Sequence, residues 1–424
     1  MTRPDRRVLI CGPLFSHETV GGLPIALRDL AVSLRTRGWD VDLAITPETL
    51  GLGDDWRDAR RLGPTVSGAS RWLPRLRSLS PDVRTLLQHV VRNAGVGRAQ
   101  SAVIAAIDRR LDDRQYDVVV AVISREAPGL AHFVTRRHPR SVLLSLNGLA
   151  VELRLAPWLR VARTIGQRGL HASMYRPVDP HTVRMAVFAS DTWRDEAIRA
   201  GLPVHVARTI YFGLNTDGSL RAAAPTSGRL LWAGRLSREK GLHLFLDAIA
   251  VLRRTRHVTL TAICADGPRD YRAQIDQQIA RLELNDAVRL LPAVPREDLR
   301  GFYASHDVLL FQSIFDEPVA LVLMEAFAAG LAVVAPSVTA RSALIRPDET
   351  CICFSSPSPA DIARAITRAL DDDALRQRVR TNARRVIDEQ FSIEAMADAY
   401  DRALTELMAS PGYGPQATGC DETP

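Results

Sequence analysis

RLLWAGRLSREKGLHLFLDAIAVL, residues 229–252, changes character twice within a few residues. RLLWAG is a short apolar run ending in glycine, the pattern of a strand buried on both faces of a sheet. LHLFLDAIAVL, from Leu242 onward, reads as a helix. GRLSREKG (234–241) joins them and puts Arg235 and Lys240 in a strand-to-helix loop. Open parallel sheets bind ligands at that edge, beyond the carboxyl ends of their strands. The alternation runs on downstream. VTLTAIC, AVRLLPAV, HDVLLFQS, LAVVAP and CICFSS read as strands, with YRAQIDQQIARLEL and further helices between them.

The first half alternates in the same way. RRVLICGP is a strand and LFSHETVGGLP a loop; Leu27, Leu30, Ala31 and Leu34 then fall at i, i+3, i+4 and i+7, with Gly38 as a stop. VDLAIT, YDVVVAVIS, SVLLSLNG and RMAVFAS are further strands. RAAAPTSGR (221–229), small and bearing Pro and Gly, is the linker. The expectation is an α/β protein of two doubly wound Rossmann-like domains, 1–222 and 223–390. The helix within 391–408 is expected to pack back on the first domain, and 409–424 to be a disordered tail.

The 424 residues are 46% hydrophobic and 24% charged, as in ordinary globular domains. No apolar run reaches the ~18 residues of a spanning helix. The apolar run near Met1 is too short for a secretory signal, so the expected location is cytoplasmic. The five cysteines are scattered and suit reduced thiols. Cys351 and Cys353 fall on one face of a strand and read as buried small hydrophobes rather than metal ligands. The net charge of +7 is local, because Arg57–Arg98 holds nine Arg and two Asp while the rest balances. Nucleic-acid binding is not expected, since neither aromatic–basic interleaving nor zinc spacing accompanies that charge. Within the stretch Val83, Leu86, Leu87 and Val90 recur at helical spacing. It reads either as a basic amphipathic patch for an anionic membrane or acceptor, or as a helix packed on the core with solvated arginines.

Of the 55 Lys and Arg, 54 are Arg; Lys240 is the one lysine. An ammonium is a compact point charge, where guanidinium is a wide planar fork. With Arg235 it forms a reasonable diphosphate clamp. Downstream, FDEPVALVLMEAFAAG (315–330) follows a strand. Pro318 suits the first turn of a helix. Glu317 then stands at the helix start, and the amides of Val319, Ala320 and Leu321 are free to receive a phosphate. If the helix is regular, Glu325 lies about 12 Å further along. That is too far for a paired acid and base, but suits two acceptors at opposite ends of one long ligand.

These motifs resemble the family-4 retaining glycosyltransferases of the GT-B fold, whose two Rossmann-like domains face each other across a cleft. The resemblance covers roughly residues 7–46 and 117–408. GRLSREKG, the E-x7-E of Glu317 and Glu325, and AFAAGLAVVAP carry it; VGG (20–22), RG (37–38), ADG (265–267) and FGLN (212–215) support it. It implies that Arg235 and Lys240 bind the diphosphate of a nucleotide sugar donor and stabilise the leaving group. It implies that Glu317 holds hydroxyls of the transferred sugar and Glu325 those of the ribose, with the base near the ADG loop and Val294. Gly21 and Gly22 would let the first loop approach donor or acceptor. No cofactor and no metal are implied.

Some positions depart from the family pattern. Asn147 stands where a strand-ending histidine is usual, and Asn cannot carry a proton at neutral pH. Ala320 and Thr339-Ala340 replace glycines. His17 and Glu18 lie where an acceptor is expected. The first expectation is retaining transfer of a hexose-type sugar to a hydroxyl of a small polar, natural-product or glycan acceptor. The alternatives are a membrane-surface enzyme with a lipid-linked acceptor, and a catalytically silent nucleotide-sugar-binding scaffold. A nucleotide-sugar epimerase or hydrolase ranks below these, for want of a base at Asn147.

Overall fold

The computed structural model describes residues 6–12, 22–44, 104–123, 130–145, 178–215, 228–313, 320–337 and 344–410. The chain divides into two compact units, one running to Ile210 and resuming at Ala397, the other Tyr211–Met396. Each is built on a six-stranded parallel sheet.

The first unit contains β1 (Arg6–Cys11), α1 (Gly22–Thr36), β2 (Trp39–Ala44), α2 (104–113), β3 (Val118–Ile123), α3 (Leu130–Arg137) and β4 (Ser141–Ser145). β5 (Met185–Phe188), α4 (Asp191–Arg199) and β6 (Ala207–Thr209) complete the described part, in the order β2-β1-β3-β4-β5-β6. The central strand β3, VVVAVI, is buried at every position, as a strand covered on both faces must be. β6 escaped the sequence reading because three residues carry no pattern. The far end of α11 (Ile393–Ala409) belongs to this unit. Its Asp401 accepts from Arg6 at 3.1 Å and from the indole of Trp39 at 2.8 Å, and its Asp398 accepts from Arg37 at 2.7 Å.

The second unit runs β7 (Arg229–Arg235), α5 (Leu242–Leu252), β8 (Thr259–Ala265), α6 (Arg269–Arg281), β9 (Val288–Pro292), α7 (Arg296–Ser305) and β10 (Val308–Leu310). α8 (Leu321–Ala328), β11 (Ala332–Pro336), β12 (Ile352–Phe354), α9 (Pro359–Asp371) and α10 (Asp373–Gln390) follow. The strand order is β12-β11-β10-β7-β8-β9. Alternate residues of a strand point to opposite faces, and two separate apolar layers result. Leu230, Trp232, Leu260, Ala262, Ile352 and Phe354 lie in one. Leu231, Ala233, Ile263, Cys351 and Cys353 lie in the other. Each fully buried Leu there contributes about 1.5–3 kcal/mol. Burial pushes the thiol of Cys353 up to about 12 and that of Cys351 well above its usual range.

The unit begins earlier than position 223 because FGLN is already part of it. Leu214 N–H donates to Phe391 O at 2.7 Å, and Ile393 N–H to Leu214 O at 3.1 Å. A Cβ on Gly213 would fall 2.6 Å from the Ser392 and Ile393 backbone, so the motif is glycine for packing. No described helix is long and apolar enough to cross a membrane. Arg57–Arg98 and the tail beyond Ser410 lie outside the described residues.

Candidate functional site

β7 and β10 are hydrogen-bonded neighbours, yet the chain leaves them toward opposite faces of the sheet. α5 packs Leu242, Phe245 and Leu246 into the layer of Trp232, whereas α8 packs Leu323, Met324 and Phe327 into the layer of Leu231. Diverging connections of this kind leave a crevice at the carboxyl ends of the two strands, the topological switch point of an open sheet.

The loop leaving β7 is built tightly. Arg235, the last residue of the strand, is 58% exposed and pairs with Glu239 at 3.1 Å. Arg238–Lys240 form a short 3-10 turn in which Lys240 N–H donates to Ser237 O at 3.0 Å and Gly241 N–H to Arg238 O at 3.1 Å. The Lys240 carbonyl accepts from the Trp232 indole at 3.2 Å. Gly241 ends the turn at φ +69°, and a Cβ there would meet Gln312 Cγ at 2.4 Å. Gly267 of the ADG loop is pressed harder still, because a Cβ would fall 1.8 Å from Leu236 O. Arg238 is turned away, donating to Gln274 at 2.8 Å and lying over the Tyr271 ring. Arg235 and Lys240 thus both belong to the short connection at the carboxyl end of β7.

Glu239 escaped the sequence reading. Burial opposes its ionisation, but its own backbone N–H, the nearby Ser237 hydroxyl and the cations Arg235 and Lys240 outweigh that and hold the carboxyl below its usual range. Ser237 Oγ acts there by proximity, outside normal hydrogen-bond geometry. As an exposed i,i+4 ion pair, Glu239–Arg235 is worth under about 1 kcal/mol and yields readily to a better anion.

The β10 side differs from the sequence expectation. α8 starts at Leu321, not near Pro318; Ala320 is its N-cap, extended at φ −83° and ψ 113°. Ala has no side-chain oxygen to cap the helix, which leaves the Leu321 and Val322 amides without an intrahelical carbonyl. The helical rise thus covers only Leu321 to Glu325. Glu325 is not solvated: it is 7% exposed, and Tyr303 donates to its Oε2 at 2.9 Å. Gln312 and Ser313, just beyond β10, are 5% and 1% exposed, and Gln312 Oε1 and Ser313 Oγ have no hydrogen-bond partner among the described residues. At the other end of α8, Arg384 donates to Ala328 O at 2.6 Å and Arg380 to Gly330 O.

Val294 follows β9, half-buried, and packs on the apolar layer that holds Tyr303 and Met324. The structure therefore gathers Arg235, Lys240, Val294, Ala320, Leu321 and Glu325 on one domain. Gly22 is the first residue of α1 in the other unit. His17, Glu18, Gly21, Asn147, Glu317 and Val319 lie outside the described residues. Tyr303, Gln312 and Ser313 were missed; nothing in their spacing marks them.

Residues 222–386 match the family model of the glycosyl transferases group 1, which is nearly the whole second unit. Among curated relatives, a D-inositol 3-phosphate glycosyltransferase of Paenarthrobacter aurescens is 34% identical over 38% of this chain and 39% of its own length. An alpha-D-kanosaminyltransferase of Streptomyces kanamyceticus is 27% identical over 51% and 52% respectively. The chain thus spans about two fifths to one half of the length of these relatives. Solved structures extend the likeness to almost the whole chain. Anabaena HepE in complex with UDP and glucose superposes with a TM-score of 0.66 at 19% identity, covering 95% of this chain and all of HepE. Sucrose-phosphate synthase from Thermosynechococcus elongatus reaches 0.69 at 19% identity, covering 96% of this chain and 100% of that one. With two Rossmann-like domains and such neighbours, the fold is GT-B.

Proposed function

We propose that the protein is a metal-independent retaining glycosyltransferase, moving a hexose-type sugar from a nucleoside diphosphate donor to a hydroxyl of a small polar, natural-product or glycan acceptor. The observation that carries this reading is the pair of cations at the switch point of the domain that matches the group 1 model, Lys240 on a turn braced by Trp232 and Gly241 and Arg235 at the end of β7 beside Glu239. Negative charge builds on the leaving diphosphate as its bond to the sugar C1 breaks. Arg235, Lys240 and the Leu321 and Val322 amides suit that charge. The acceptor oxygen bonds to C1 on the same face, and its proton passes to the departing phosphate oxygen. No base is then needed at Asn147. Glu317 receives sugar hydroxyls and Glu325 the ribose. The UDP and glucose bound to HepE make UDP-glucose the first donor to try.

The test is thermal stabilisation by UDP, GDP, ADP and TDP, on wild type and Lys240→Arg. A diphosphate at a hundred times its Kd adds about 2.7 kcal/mol and raises Tm by several degrees. One diphosphate should do so for wild type, and Lys240→Arg should lose most of the gain. Stabilisation by none overturns the reading. Equal stabilisation of Lys240→Arg removes Lys240 from the clamp.

A further inference from the structure

Glu325 occupies a place where a carboxylate is costly. Its neighbours in α8, Leu323, Met324, Ala326 and Phe327, are fully buried, and it is 7% exposed itself. A charge in such surroundings needs hydrogen-bond donors of fixed geometry. Tyr303 is one. It reaches from α7, its side chain is 1% exposed, and its hydroxyl donates to Glu325 Oε2 at 2.9 Å. A phenylalanine would fill the same apolar space with no hydroxyl to satisfy, so packing does not account for the phenol. Val294, in the loop between β9 and α7, packs on the same layer. One side of this domain thus combines a half-buried apolar surface with a carboxylate turned to a set orientation. A nucleoside presents the complementary pair, a flat base and a vicinal diol that donates hydrogen bonds.

We propose that Tyr303 is a positioning residue for the ribose of the donor. Its phenol fixes one oxygen of Glu325, so that the carboxylate plane is set before the diol arrives and little order is lost on binding. The inference rests on the donor-site reading above and names the group that orients Glu325 within it.

The experiment is calorimetric titration of UDP, GDP and ADP, each beside its 2′-deoxy counterpart, into wild type, Tyr303→Phe, Glu325→Gln and the double variant. Wild type should prefer the ribose form. Tyr303→Phe should narrow that preference about tenfold, the scale of one hydrogen bond to a charged group, with little change for the deoxy form. On the Glu325→Gln background it should change nothing further. A purely structural tyrosine would weaken both forms alike. Glu325→Asp keeps the charge but withdraws it from the phenol. It should lose the preference too, and answers the question if Tyr303→Phe proves unstable. The inference is overturned if folded Tyr303→Phe or Glu325→Asp keeps the wild-type preference, or if wild type binds a diphosphate without preferring ribose. Binding of none of the diphosphates to wild type overturns the donor-site reading, and this inference with it.

Discussion

Trp232 holds Lys240 by its backbone: the indole N–H, from within β7, donates to the lysine carbonyl at 3.2 Å. The indole is 2% exposed, so water competes poorly for that bond. Trp232→Phe retains much of the packing and leaves the carbonyl short of a donor. We expect it to cost about 1–3 kcal/mol in denaturant unfolding. Diphosphate affinity should fall as well, because the turn carrying Lys240 is released. Lost stability with unchanged affinity would mean that the indole supports the domain and not the clamp.

Gly241 and Gly38 separate two reasons for glycine. Gly38 has φ +81° and open space where a Cβ would stand, whereas Gly241 has φ +69° and Gln312 Cγ at 2.4 Å from that position. Gly38→Ala should lose about 1 kcal/mol, the lower end of left-handed strain. Gly241→Ala should lose about 1–3 kcal/mol more through overpacking, and should weaken diphosphate binding. Equal losses in urea titrations would show that Gln312 gives way freely.

Acid should weaken the fold first through histidines. His138, His243 and His306 are all held below their ordinary value of 6.5, chiefly by burial. The unfolded chain therefore binds protons that the folded one refuses. Their contribution is fully present above about pH 6.5 and is lost as pH falls through the lower folded values. Tm should stay level from about pH 8 to about pH 7 and decline below about 6.5. His306, bonded to Phe302 O and Thr261, and His243, bonded to Tyr271, are the ones to replace by Gln. An unchanged acid slope in that double variant would assign the loss to other groups.

Thiol chemistry gives a further check. Burial holds Cys11 and Cys353 at about 12 and Cys264 at about 11, with Cys351 also well above its usual range. Native protein at neutral pH should leave peptides containing these four unalkylated by iodoacetamide, and urea should expose them all. Fast native labelling of Cys353 would contradict its place on β12.

The second sheet could be read in the sequence because six apolar runs, each bounded by glycine, proline or charge, leave little choice of element. The lone lysine and its glycine-flanked loop pointed to the switch point for the same local reason. What local pattern does not contain is pairing across distance. Tyr303 and Glu325 meet from two helices that a strand separates, and Gln312 meets Gly241 only because β10 lies beside β7. The start of α8 was misplaced because Pro318 satisfies the rule for a first helical turn, yet Ala320 keeps an extended backbone. The second unit begins at Tyr211 because FGLN bonds to Phe391 and Ile393, a contact between distant parts of the chain that composition does not reveal.

Arg380 and Arg384 change what α8 presents to an anion. The helix has eight residues, about 12 Å, with roughly half a charge of opposite sign at either end. A phosphate at Ala320 would ordinarily feel both poles, and the far negative one would subtract from the near positive one. Two guanidinium groups on the Ala328 and Gly330 carbonyls offset that far pole. A dipole's potential dies as the square of distance, but a single uncompensated pole's dies only as the first power. The near pole of α8 is then opposed less by its far end, so an anion placed at Ala320 would feel more of that partial positive charge within the first turn, before salt screens it.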